Sequence, residues 1–191
     1  MSSDLSGEIR ALNTEIQALT RARPVTGPDQ ESFRAIAHAA WAIAGRDPEL
    51  FENIDAMLHR VRAERGSGNE GLDFKTGVGG IVEAEFLVQA LQMRNDVRET
   101  SVQLAVSKLA NIISPEDVDL LGRGYEFLRR LETILRRRRN SSVSSLPADT
   151  AEQRKLAIAM EFKDRESWQK RCEGARADIH RIYCKYFERG R

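Results

Sequence analysis

Cysteine, histidine, net charge and long apolar runs are all scarce in this chain, and each scarcity removes a class of function. Two residues are cysteine, Cys172 and Cys184. Their spacing places both in one helix, about 18 Å apart at roughly 1.5 Å per residue, so they cannot bond to each other within it. With three histidines, His38, His59 and His180, and no C-x-x-C pair, nothing supports a structural zinc site, and no metal ligand is assigned. Lys+Arg 30 against Asp+Glu 29 leaves a formal charge of +1, which argues against both nucleic acid and an acidic membrane as partner. No apolar stretch approaches the roughly 20 residues that span a bilayer, and Met1 to Gly7 has no charged segment leading into an apolar core. The expectation is a cytoplasmic protein. At 41% hydrophobic and 31% charged, the chain is too apolar for disorder and ordinary for a helical domain.

Alternating Val/Ile/Thr-rich segments are missing too, so the periodicity is helical throughout. Leu5, Ile9, Leu12, Ile16 and Leu19 predict an amphipathic helix to Arg21, ended by Arg23-Pro24-Val25-Thr26-Gly27-Pro28. A second helix, from about Asp29 to Ala44, would turn Phe33, Ile36, Ala37, Ala40 and Ile43 inward, with Gly45 as its stop. Asp47-Pro48 opens a third carrying Leu50, Ile54, Met57, Leu58 and Val61. Gly66 to Gly71 reads as the most flexible stretch. Further helices follow through Val102 to Leu109, from Ser114-Pro115 through Leu135, from Pro147-Ala148-Asp149 to Met160, and from Trp168 to Tyr186. The expected fold is an all-α bundle of about seven or eight helices, with residues 1–27 as an N-terminal helix and turn and residues 28–191 as the bundle.

Lys75-Thr76-Gly77-Val78-Gly79-Gly80 stands directly before the apolar run that starts at Ile81. A helix start offers unpaired N–H groups and a positive dipole end, and glycines let an anion approach them. A phosphate site at Gly79, Gly80 and Ile81, with charge from Lys75, is therefore one reading. A glycine-permitted tight entry into a buried helix is the other. The order of residues fits neither G-x-x-x-x-G-K-[ST] nor a G-x-G-x-x-G turn after a strand. The helix itself is apolar on two sides, with Ile81, Ala84, Leu87, Val88 and Leu91 on one and Val82, Phe86 and Met93 on the other. Glu85, Gln89 and Gln92 form a narrow polar stripe between them, fit for a cleft or domain interface, or for pairing with nearby backbone and arginine groups.

In the long helix after Ser114, Val118, Leu121, Tyr125, Leu128 and Leu135 form an inward stripe that Glu132 interrupts. A carboxylate there needs a basic partner, so Glu132 is expected in a structural ion pair. Arg136 to Arg139 could grip phosphate or an acidic partner, but four cations also suit a helix C-terminus.

Four segments, in order, resemble the bifunctional glutamine synthetase adenylyltransferase/adenylyl-removing enzyme. Lys75 to Phe86 is similar to its Lys-Leu-Gly-x-Gly-Gly-Ile-x-Asp-Ile-Glu-Phe pattern. Glu15 to Gly27 resembles the helix and turn leaving its nucleotidyltransferase fold, Tyr125 to Glu132 its Tyr-x-Phe-Leu-Arg-Arg-x-Glu signature, and Leu146-Pro147 with Leu156-Ala157 and Met160 its Leu-Pro and Leu-Ala-x-x-Met segments. Related helical domains accompany the uridylyltransferase that modifies the PII signalling protein. The resemblance implies a helical domain beside a fold that uses ATP and Mg²⁺ to move an AMP group to or from glutamine synthetase. It places Lys75, Gly77, Gly79, Gly80, Glu83 and Glu85 at an active-site edge, with Glu83 or Glu85 orienting Lys75 or a metal-bound water. Glu83 stands where the family has aspartate, Val82 where it has a basic residue, and Ala84 where it has a larger apolar one.

No Gly-Ser with a spaced Asp-x-Asp follows the family's catalytic pattern, because Gly66-Ser67 leads into Gly68-Asn69-Glu70 and Asp117-Val118-Asp119 lies inside a helix. The chain is accordingly expected to carry no catalytic residue and no cofactor of its own. Its expected partner is a nucleotidyltransferase domain in cis or in trans, with glutamine synthetase or a PII-type protein as a further partner. The alternative is an interaction module that reads such a protein through Arg136 to Arg139.

Overall fold

A computed structural model describes residues 15–65, 73–140 and 142–190 of the chain. Among them the fold is all-α: α1 (helical over residues 15–19), α2 (Gln30–Ala44), α3 (Leu50–Arg65), α4 (Ile81–Arg94), α5 (Val102–Lys108), a 3-10 turn (Leu109–Asn111), α6 (Pro115–Arg139), α7 (Thr150–Ala159) and α8 (Arg165–Gly190). The pairing outside helices that the described residues show is a single antiparallel bridge between Asp73 and Ser145. Leu5, Ile9 and Leu12 of the expected first helix, and Gly66 to Leu72 before the glycine motif, lie outside the described residues.

Local chemistry sets several helix ends. Ser101 and Asp149 cap α5 and α7 by accepting from Leu104 N–H and from Ala151 and Glu152 N–H. Ser114 caps α6, which has proline in its first turn and ends at Asn140, whose left-handed φ of 48° turns the chain away after four arginines.

Helix α4 is the hub. It packs against α2, α3, α5, α6 and α8, and eleven of its residues, from Ile81 through Met93, are buried. Helices α6 and α8 lie along each other beside it, and α8 turns Trp168, Cys172, Ala175, Ile179, Ile182 and Tyr186 into the core, the four-three face expected of it. Burial pushes the Cys172 thiol up to about 12, so it behaves as a small apolar side chain.

Helix α2 departs from expectation. Phe33, Ile36 and Ile43, expected inward, are exposed, and the buried residues are Ala37, Trp41 and Ala44. The reason is close packing at its C-terminal end, where a Cβ on Gly45 would stand 2.0 Å from the carbonyl oxygen of Met93 and Arg94 donates to the Gly45 carbonyl at 3.1 Å. Backbones this near leave room for alanine on the facing side, and Trp41 fills the space beside them. A helix with alanine, isoleucine, phenylalanine and tryptophan around most of its circumference does not fix its own rotation by periodicity.

Candidate functional site

The glycine motif folds into a turn that closes the start of α4. Asp73, 1% exposed, organises it: Oδ1 accepts from the Lys75 and Thr76 amides at 3.0 and 2.8 Å, and Oδ2 from the Thr76 hydroxyl at 2.6 Å. Burial works to raise the Asp73 pKa, but these bonds and one from the Gly77 amide outweigh it and hold the carboxyl below its ordinary value. Ser144 anchors the turn from outside by accepting from the Phe74 and Lys75 amides.

Each amide reserved for an anion already has an internal acceptor. Gly80 N–H donates to Gly77 C=O at 3.0 Å, Ile81 N–H to Phe74 C=O at 3.1 Å and Val82 N–H to Lys75 C=O at 2.9 Å. Gly79 N–H donates to Glu83 Oε2 at 2.6 Å. Glu83 is the third residue of α4, and its carboxylate reaches back over the helix start in the manner of a capping box. As folded, the turn offers these N–H groups to its own chain. The glycines are required by space: a Cβ on Gly77 would meet Asp73 C=O at 2.3 Å, and one on Gly79, whose φ is +68°, would meet the Arg176 carbonyl oxygen of α8 at 2.0 Å.

Three carboxylates, Glu83 and Glu85 of α4 and Glu132 of α6, tie the turn and the start of α4 to different parts of the bundle. Glu83, 1% exposed, receives the Arg62 guanidinium of α3 and meets His180 Nδ1 of α8 at 2.7 Å. Glu85 joins Arg21, just past α1, at 2.8 Å and accepts from the Tyr125 hydroxyl of α6 at 2.9 Å. Burial, then the Glu85 charge and this bond, hold the Tyr125 phenol well above its ordinary range. Glu132, 3% exposed, is paired with Lys75 at 2.9 Å and Arg129 at 2.7 Å. Lys75 thus reaches Glu132, so of the two expected roles for Glu83 and Glu85, orienting Lys75 or a metal-bound water, the first is taken by Glu132. The remaining stripe is satisfied likewise: Gln89 accepts from Gln17 of α1 at 2.6 Å, and Gln92 donates to the Val97 and Glu99 carbonyls. Of the two readings of that stripe, the geometry follows the one in which nearby backbone and arginine groups satisfy it.

Arg21, Arg62 and His180 had no signal in the sequence, since their partners lie 64, 21 and 97 residues away. A further buried carboxylate, Asp117, binds Ser114, Arg181, Lys185 and Tyr186 and joins the start of α6 to the end of α8. Burial opposes its charge, yet the Lys185, Ser114 and Tyr186 hydrogen bonds carry its pKa far below the carboxylate range. Among the described residues no group of three or more His, Cys, Asp or Glu side chains is arranged to hold a metal ion, and no helix is long and apolar enough to cross a membrane.

Arranged this way, the site pairs its charges within the bundle and ties α4 to α3, α6 and α8. Residues 50–187, from the first residue of α3 deep into α8, match the family described as GlnD PII-uridylyltransferase. That span is well over half of the chain and contains the glycine turn, all of α4 and the Tyr125 to Glu132 segment. On that match, the chain belongs to the GlnD PII-uridylyltransferase family.

Proposed function

We propose that this chain is the helical accessory domain of a nucleotidyltransferase in nitrogen regulation, silent on its own and working against a nucleotidyltransferase fold supplied in cis or in trans. The observation that carries this reading is the family match over residues 50–187 in a sequence without the catalytic Gly-Ser and Asp-x-Asp pattern. The finer reading, a parent enzyme that transfers AMP from ATP to glutamine synthetase or removes it, is supported by the four ordered segments that resemble the adenylyltransferase. In this reading ATP and Mg²⁺ belong to the partner fold. Lys75, Gly77, Gly79, Gly80, Glu83 and Glu85 shape the edge that faces it, as a braced turn and not as a phosphate cradle. The Lys75 side chain, 32% exposed beside Glu132, is the member of that set whose charge can extend toward a phosphate on the partner.

The uncovered face of α2 supports the same reading. Phe33, Ile36 and Ile43 lie along one side of the helix and are 37%, 68% and 64% exposed, an apolar stripe of the kind that marks a contact surface. It follows closely on the segment that resembles the exit from a nucleotidyltransferase fold, so a tethered fold would sit beside it. Calorimetry of the chain with ATP or UTP and Mg²⁺ tests the claim that the complete catalytic nucleotide site belongs to the partner fold. The expected dissociation constant is weaker than about 10 μM, near −6.8 kcal/mol. Tighter binding would mean that the chain holds a complete nucleotide site.

A further inference from the structure

The exposed side of α6 carries a feature that the accessory reading does not use. Arg129, Thr133, Arg136, Arg137 and Asn140 follow one another at helical spacing and share one face. Two cavities open along it and meet at Thr133. One, of about 470 Å³, is lined by Thr133, Arg136, Arg137, Asn140 and Ser142. The other, of about 530 Å³, includes Arg21, Tyr125, Arg129 and Arg130 in its wall.

The charges on this face are unevenly compensated. Arg129 and Lys75 share Glu132, Arg21 is held by Glu85, Arg130 reaches Glu161, and Arg138 leans toward Glu152. Arg136 and Arg137 have no carboxylate partner among the described residues, and both are exposed. The end of α6 adds a partial negative charge of about half a unit, which two full guanidinium charges exceed. Glu126 lines the neighbouring cavity but not this one. Arg136 and Arg137, the hydroxyl-bearing Thr133 and Ser142, and Asn140 line an open depression large enough for a tetrahedral oxyanion. Arginine forks match phosphate oxygens in a bidentate way that a lysine cannot.

We propose that the cavity formed by Thr133, Arg136, Arg137, Asn140 and Ser142 binds a phosphate-type oxyanion, either a free diphosphate or the phosphate chain of a nucleotide. Titration of the full chain with pyrophosphate at low ionic strength is expected to saturate with a dissociation constant of roughly 0.1–1 mM, well above the value of about 10 μM that would mark a complete nucleotide site, and to weaken with added salt. Replacing both arginines (Arg136→Gln with Arg137→Gln) should weaken it by about tenfold, equivalent to roughly 1.4 kcal/mol. Lys163→Gln, which removes an exposed charge elsewhere, should leave it unchanged. Amide shifts at Thr133, Asn140 and Ser142 on pyrophosphate addition should saturate with the same constant. A parallel titration with ATP free of metal separates the sources: a free diphosphate predicts pyrophosphate at least as tight as ATP, and a nucleotide predicts ATP several-fold tighter. In either case the double substitution must weaken both ligands. No saturation by about 10 mM, shifts confined to other residues, or equal weakening by Lys163→Gln and the double variant would overturn the proposal.

Discussion

At Gly79 a methyl group has nowhere to go. Its φ of +68° disfavours any side chain, and the α8 backbone occupies the place of a Cβ, so Gly79→Ala is expected to cost more than about 3 kcal/mol. Gly174, within α8, has nothing within 4 Å of the position of its Cβ. There alanine should stabilise by roughly 0.5–1 kcal/mol through helix propensity. Urea unfolding of the two variants makes the comparison, and similar effects at both positions would contradict the packing described. Glu132 gives a third test. It is buried but its partners Lys75 and Arg129 reach solvent, so Glu132→Gln should cost about 2 kcal/mol, below the value for a pair sealed on both sides. The same variant leaves Lys75 without its carboxylate, and a double-substitution cycle with Lys75→Met should show coupling above about 0.5 kcal/mol.

Helices differ in how much of their role could be read from the sequence. In α8 the four-three spacing of large apolar residues fixes one face, and in α4 the two apolar sides announce a central position. The rotation of α2 was not legible, because apolar residues surround it and the deciding contact is a backbone approach at Gly45. The glycine turn was legible as a tight entry into a buried helix, but its acceptors, Glu83 and the carbonyls of Phe74, Lys75 and Gly77, are fixed by a chain path that no spacing reveals. The inward place of Glu132 could be read off α6, whereas Arg62 and His180 reach Glu83 from helices far away in sequence. Asp117 lets the α6–α8 contact be tested by pH. Its folded pKa lies below the ordinary 3.8, so its contribution is complete above about pH 5 and is lost as the pH falls toward the folded value. Asp117→Asn should therefore be less stable than the parent by about 1–2 kcal/mol near neutrality, and the gap should narrow as the pH drops below about 4. A gap that stayed constant across that range would contradict the assignment.

Across the whole molecule, a hub helix is braced at one end by a closed glycine turn and along its length by polar side chains reaching into α1, α3, α6 and α8. That bracing suits a body against which another fold can work. The apolar stripe of α2 lies outside it, so Ile36→Lys together with Ile43→Lys should leave the unfolding midpoint within about 2 °C, since exposed positions carry little folding energy, while weakening association with a nucleotidyltransferase domain. The most direct test of the accessory role is a transfer assay in which the full chain is given labelled ATP or UTP, Mg²⁺, glutamine synthetase and a PII protein, with and without an added nucleotidyltransferase domain of the family. The account predicts no label on either protein from the chain alone, and label that rises on adding the chain to the domain and falls again with the α2 double variant. Label transferred by the chain alone would contradict it.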